Sequence, residues 1–169
     1  MKNKDRWISC YPIFIFLFPT VSGEAMPRIQ INSPERYIFN TVLDVRISDI
    51  NYGRHLSSEV MLRMAHEARV RLFRGMQYEE DDVEGVGIIL TAAAICYKGE
   101  VTYPANLQWR LAVEEISRTS VDIIYSVECI EMKKEVAMVN TTVTFFDYEK
   151  RRVSSIPRGF RTKVATMLE

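Results

Sequence analysis

Cysteine is scarce and scattered. Cys10, Cys96 and Cys129 are the only three among 169 residues, and no two stand at the spacing of a metal-binding pair. A structural zinc site needs clustered thiolate and imidazole ligands, and a disulfide framework belongs to shorter exported chains. Neither is expected here; reduced thiols are. An excess of charge is missing as well: Lys+Arg and Asp+Glu both number 22, so the formal net charge is zero. Without a broad basic field the chain lacks the electrostatic footprint of a nucleic-acid binder, and no such partner is expected. The sequence holds no glycine-rich phosphate loop and no dinucleotide fingerprint, so neither metal nor organic cofactor is expected. Repeats and linkers are absent too. Apolar residues make up 47% and charged residues 26%, which suits one folded domain with a packed core.

One long apolar run stands near the N-terminus, "WISCYPIFIFLFPTVSG", behind Lys2, Lys4 and Arg6. It is too short for a membrane span, and Pro12 and Pro19 interrupt it. Charged-then-apolar order with small residues at Ser22, Gly23 and Ala25 resembles a secretory signal. Met26 then opens text that reads like a natural start. Residues 1–25 are therefore an apolar extension or a signal-like segment, and residues 26–169 a single domain. Nothing downstream is built for an oxidising compartment, so a cytoplasmic protein is expected, with export as the alternative.

Along the domain, "RYIFNTVLDVRISD" from Arg36 to Asp49 is β-rich and partly alternating. Asn51-Tyr52-Gly53 breaks it, with Gly53 free to take a positive φ. A helix follows. Ser57 is its expected N-cap, and Leu56 and Met61 have the spacing of a hydrophobic staple. Met61, Met64, Ala65, Ala68 and Leu72 form one apolar stripe, and Gly75 is the expected stop. The acidic stretch from 77 to 85 lacks the alternating ligands of a calcium loop and reads as solvated. "GVGIILTAAAICYKGE" suits a buried strand. Two alternating strands follow, with Leu107, Trp109, Leu111 and Val113 on one side, then Val121, Ile123, Tyr125 and Val127. "EVAMVNTTVTFFDYE" completes the set, and the residues from Ser154 on read as a short basic tail. A striped helix across antiparallel strands is an α+β layer arrangement.

The order of these parts, with "DINYGRH" at 49–55, "HEAR" at 66–69, "TYPANL", "ISRTSVDIIYSV" and "VNTTVTFFDYEKRRVSSIP", resembles the hotdog-fold acyl-CoA thioesterases of the 4-hydroxybenzoyl-CoA thioesterase-like group. The resemblance covers roughly residues 30 to 160. It implies a curved antiparallel sheet wrapped around one long helix, a homodimer or a tetramer of dimers with sites between subunits, and hydrolysis of acyl-CoA, or of acyl carrier protein, thioesters. Relatives carry Asp-x-Asp-x-x-Gly-His-x-Asn-Asn at this place. Their second Asp falls on Asn51, and an amide cannot serve as base or nucleophile. Their paired asparagines fall on Ser57 and Ser58. That departure motivates a rival reading, a non-catalytic acyl-CoA-binding protein; a dehydratase lacks its His–Asp loop pattern here.

Thioester hydrolysis needs an activated water and donors for the oxyanion. The helix N-terminus offers free N–H groups at Leu56, Ser57 and Ser58, with Gly53 close by. Asp49 is either the base that orients water or an Asx-type cap ending the strand. Asn51 either holds water or the thioester, or only turns the chain. His55 is a base, a hydrogen-bond partner or a structural histidine. Glu59 is either a carboxylate welcomed by the helix dipole or the replacement base. Glu67, between Arg63 and Arg71, is explained by helical ion pairs, although the resemblance offers a second reading, since some relatives use a carboxylate from this helix; Tyr52 and Phe73 are explained by packing. Arg54, Arg63, Lys98, Arg110, Arg118, Arg151 and Arg152 are the cations available to coenzyme A phosphates.

Overall fold

In the computed structural model, residues 29–114 and 117–168 are described; the 1–25 segment lies outside them. Six strands form one antiparallel sheet: β1 (Phe39–Asp44), β2 (Gly87–Tyr97), β3 (Asn106–Glu114), β4 (Ser120–Cys129), β5 (Lys134–Asp147) and the short β6 (Arg152–Val153). Their order across the curved sheet is β1-β3-β4-β5-β2, with β6 on β5. Two α-helices complete it, α1 (Ser58–Gly75) and α2 (Arg158–Leu168). No helix among the described residues is long and apolar enough to cross a membrane.

The core follows from the two periodicities. Leu107, Trp109 and Leu111 of β3 and Val121, Ile123, Tyr125 and Val127 of β4 are fully buried, and Val113 nearly so. The pairing of Trp109 with Val127 and of Leu111 with Tyr125 puts these side chains on one face. Trp109 meets Tyr125 edge-on at 6.0 Å, a geometry worth about 0.5–1.5 kcal/mol beyond its buried area. The α1 stripe of Met61, Met64, Ala65, Ala68 and Leu72 packs onto that face as expected. Leu56 and Met61, the staple pair, are buried too.

Several local expectations are corrected. The strand foreseen over 36–49 is only Phe39–Asp44, because Ile47–Asp49 closes a 3-10 turn. Asp49 N–H donates to Arg46 O (2.9 Å), and the Arg46 N–H donates to the Asp49 carboxylate (2.9 Å). The apolar β2 is not buried: it lies at the sheet edge, with Leu90 45% and Tyr97 52% exposed. The acidic 77–85 stretch is mostly exposed, as expected, but it is pinned to its surroundings. Glu80 is gripped by Arg69 and His66, and Tyr78 Oη donates to Glu84 (2.5 Å). The basic tail is α2. Its Phe160 and Val164, four residues apart, are fully buried, while its cations stay largely at the surface. Phe160 stacks on Phe73 at 5.7 Å and meets Phe145 edge-on at 5.1 Å, joining α2 to α1 and to β5.

Candidate active site

The stretch between β1 and α1 is a closed knot. Ile50 bridges Leu56, Asn51 N–H donates to His55 O (3.0 Å), and Arg54 N–H to Asn51 O (2.9 Å). Asn51 Oδ1 accepts from Gly53 N–H (2.8 Å), and its Nδ2 lies 3.3 Å from His55 Nδ1. Asn51, Gly53 and His55 are thus brought together. The positive φ expected of Gly53 falls instead on Arg54, at 66°. Gly53 is needed for close approach: a Cβ there would sit 2.8 Å from His55 Nε2 and 2.9 Å from Asn51 Oδ1. Tyr52 does not pack; it is fully exposed, whereas Phe73 packs as foreseen.

Asp49 is not part of this cluster. It is 4% exposed, and both carboxylate oxygens are engaged, one by Arg46 N–H and one by the Arg63 guanidinium. It lines a polar groove of about 480 Å³ on the β1 flank of α1, together with Arg46, Arg63, Glu67 and Arg71. Glu67 pairs there with Arg71 (2.8 Å) rather than with Arg63.

Two of the expected oxyanion donors are also engaged. Leu56 N–H donates to Val101 O (2.8 Å) and Ser57 N–H to Asp49 O (2.9 Å). Ser57 is the N-cap by position, yet its hydroxyl makes no capping bond. The next two N–H groups, of Ser58 and Glu59, have no acceptor among the described residues. Tyr97 Oη donates to Ser58 O (2.7 Å), tying the end of β2 to the first turn of α1. Burial, and then the nearby Glu59 charge, push the Tyr97 phenol up, so it remains a donor. Glu59 is exposed and has no cationic partner among the described residues. The mouth of α1 therefore presents two oriented N–H dipoles, a free carboxylate and a phenol.

One network escaped the sequence reading. Arg69, 5% exposed on the buried side of α1, donates through Nε to Glu80 (2.6 Å), whose other oxygen meets His66 Nε2 (3.0 Å). Behind it, burial pushes the Tyr125 phenol up to about 12, only partly offset by the Arg69 guanidinium and by Thr141 at 3.0 Å. The signal was available: Arg69 falls four residues after Ala65 on the apolar stripe, and a buried cation demands an anion.

Among the phosphate-binding candidates, Arg63 is taken by Asp49, Lys98 by Glu135 and Arg110 by Glu128, with Arg110 also over the Tyr37 ring. Arg54, Arg118, Arg151 and Arg152 have no carboxylate partner among the described residues.

Residues 45–164 match the family model described as the thioesterase-like superfamily. The chain belongs to that superfamily. Comparison with curated proteins found no match. Solved structures share the fold. A 1,4-dihydroxy-2-naphthoyl-CoA thioesterase from Synechocystis is 16% identical with a TM-score of 0.70, over 78% of this chain and 98% of that one. A DHNA-CoA thioesterase from Staphylococcus aureus is 15% identical with a TM-score of 0.69, over 76% and 89%. The hypothetical protein SAV2348 from the same organism, solved in complex with CoA, is 10% identical with a TM-score of 0.70, over 82% and 87%. The hotdog architecture expected from the sequence is the one observed, in a member of a thioesterase-like superfamily.

Proposed function

We propose that this chain hydrolyses acyl-CoA thioesters at the mouth of α1, with the Ser58 and Glu59 N–H groups as the oxyanion donors and Glu59 as the base. The observation that carries the reading is the pair of unengaged helix-terminal N–H groups beside an unpaired carboxylate. Glu59 takes a proton from water as the oxygen attacks the thioester carbon. The oxyanion forms against the two N–H dipoles. Collapse expels the CoA thiolate, which takes up the proton, and leaves the free acid. Asn51 and His55 hold the turn that aims these donors. Asp49, which accepts from both Arg46 and Arg63, anchors the chain entering α1, and this favours a positioning role for it.

The protein is further proposed to act as a homodimer. Among the described residues, β2 leaves one edge unpaired and apolar, with Leu90, Ala92 and Ala93 exposed. Such an edge invites pairing, and a second copy is the self-complementary way to cover it. That pairing would bring the facing subunit alongside Tyr97 and the α1 mouth. The free thiols Cys96 and Cys129 support a cytoplasmic location.

Thiol release from a panel of short, long, branched and aromatic acyl-CoAs, with acyl carrier protein thioesters alongside, tests the reading on wild type, Glu59→Gln and Asp49→Asn. A far larger loss of turnover in Glu59→Gln than in Asp49→Asn is expected. No turnover on any thioester, with acyl-CoA still protecting the protein against heat, would replace the enzyme with the acyl-CoA-binding reading that Asn51 motivates.

A further inference from the structure

We propose that the end of the sheet around the α1 mouth docks on an anionic phospholipid bilayer, with residues 1–25 as a second anchor beside it. This goes beyond the hydrolysis proposed above and does not depend on it. Exposed apolar side chains are unevenly placed among the described residues. Ile47, Tyr52, Tyr103, Ile130 and Met132 all stand on the connections at this end, whereas the opposite end exposes only Tyr148 and Val153. Backbone bonds stitch these connections into one surface. Val45 N–H donates to Ala105 O (2.9 Å), Leu56 N–H to Val101 O (2.8 Å) and Ile130 N–H to Asn106 O (3.0 Å). The chain entering α1, the loop before β3 and the β4–β5 hairpin thus lie side by side. Ile47 is 69% exposed, Tyr103 50% and Met132 45%. Single apolar residues scatter over any surface, but several gathered on one end mark a surface that meets something.

The residue types, and the chain that joins the domain there, point to a lipid surface. Tyrosine has an apolar ring and a polar tip, which suits the level of lipid headgroups. Lys133 and Lys134, beside Met132, have no carboxylate partner among the described residues, and their long stems carry the charge from apolar surface out to phosphate. Cys96 Sγ donates to Ile29 O (3.2 Å), one residue before the Tyr97 that holds the mouth. The 28 residues ahead of Ile29 therefore join the domain beside this same end. Their first 23 carry Lys2, Lys4 and Arg6 against Asp5 alone, then Trp7, Tyr11, Phe14, Phe16 and Phe18 among aliphatic residues. Cations ahead of aromatic rings, in a run too short to span, are the composition of a segment that binds at the membrane interface. One such anchor binds marginally; two on the same side of a molecule reinforce each other. The sheet order places β1 and β3 farthest from β2, so the β2 pairing proposed above leaves Ile47 and Tyr103 open.

The test is sedimentation of the full chain with vesicles of phosphatidylcholine, alone or mixed with phosphatidylglycerol. Wild type is compared with Ile47→Ser/Tyr103→Ser/Met132→Ser and with Phe14→Ser/Phe16→Ser/Phe18→Ser. The three domain residues are exposed, so the melting temperature of the first variant should match wild type. Wild type should bind the mixed vesicles about tenfold tighter than the neutral ones. Each triple variant should lower that binding by about tenfold or more. Trp109 is fully buried, so a blue shift of the emission on adding vesicles reports Trp7 entering the interface. Absence of binding by wild type would overturn the proposal, and so would equal binding to the neutral vesicles. Binding unchanged in the Ile47/Tyr103/Met132 variant would overturn it too, by leaving residues 1–25 as the whole anchor. A wild type that ignores vesicles but forms a larger assembly, which this variant breaks up, would assign the surface to another copy instead.

Discussion

The two ends of α1 are treated in opposite ways. At the C-terminal end the carbonyls are consumed: Met76 N–H donates to Leu72 O (3.1 Å) and Phe73 O (3.0 Å), Tyr78 N–H donates to Phe73 O (2.9 Å), and Lys163 Nζ reaches Met76 O. Phe160 plugs that end against Phe73, Phe145 and Tyr78. At the N-terminal end the Ser58 and Glu59 N–H groups stay unengaged among the described residues, and Glu59 stays exposed. A sealed helix end contributes stability. An open one leaves dipoles and a carboxylate for a ligand.

The comparison can be broken most forcefully at the sealed end. Phe160→Ala should cost about 3–5 kcal/mol, because a fully buried ring leaves a cavity that its neighbours cannot fill. Urea unfolding measures this, and activity per folded molecule should hold. Glu59→Gln should do the reverse, lowering kcat by about 10²–10³-fold with the melting temperature unchanged, as steady-state kinetics and calorimetry would show. A stability loss without a kinetic one would place Glu59 among the structural charges. Asp49→Asn sharpens the contrast between buried and open carboxylates. Its destabilisation should be about 1–3 kcal/mol, from a buried acceptor losing charge opposite Arg63. Its turnover should fall less than that of Glu59→Gln. Gly53→Ala should cost about 1–2 kcal/mol, because the new methyl meets the His55 ring and the Asn51 amide; crystallography should show the 51–55 turn displaced.

The smallest effect lies outside α1. Asn106, through its backbone N–H and its side-chain amide, holds the Glu131 carboxylate down to about 2. A depressed carboxylate contributes stability that is fully present above its unfolded value near 4.5 and is lost as pH falls towards 2. Replacing Glu131 with Gln should remove this contribution at pH 7 and flatten the stability–pH profile in that acid window, so that the two proteins converge as pH falls towards 2. Acid titration of the unfolding midpoint measures this.

What could be read beforehand, and what could not, separates along the same line. The α1 stripe and the inward faces of β3 and β4 were legible because burial on one face repeats every 3.6 or 2 residues. α2 was missed although Phe160, Val164, Met167 and Leu168 stand at helical spacing, because that stripe is short and interleaved with Arg158, Arg161 and Lys163. β2 read as buried because an apolar run does not say whether a neighbour is present. Asp49 and Glu59 are both carboxylates near the same turn, and their types alone do not tell them apart.

The sequence by itself determined an α+β arrangement, its strand and helix periodicities, and a polar turn entering the long helix, because each of these rests on residues a few positions apart. The tertiary structure alone decided which groups at that turn remain free. Val101 takes the Leu56 N–H, Arg63 takes Asp49, Tyr97 holds Ser58 O, and Glu80 balances Arg69. Hydrogen-bond capacity is spent between segments that meet only after folding, and what is left unspent is the candidate site.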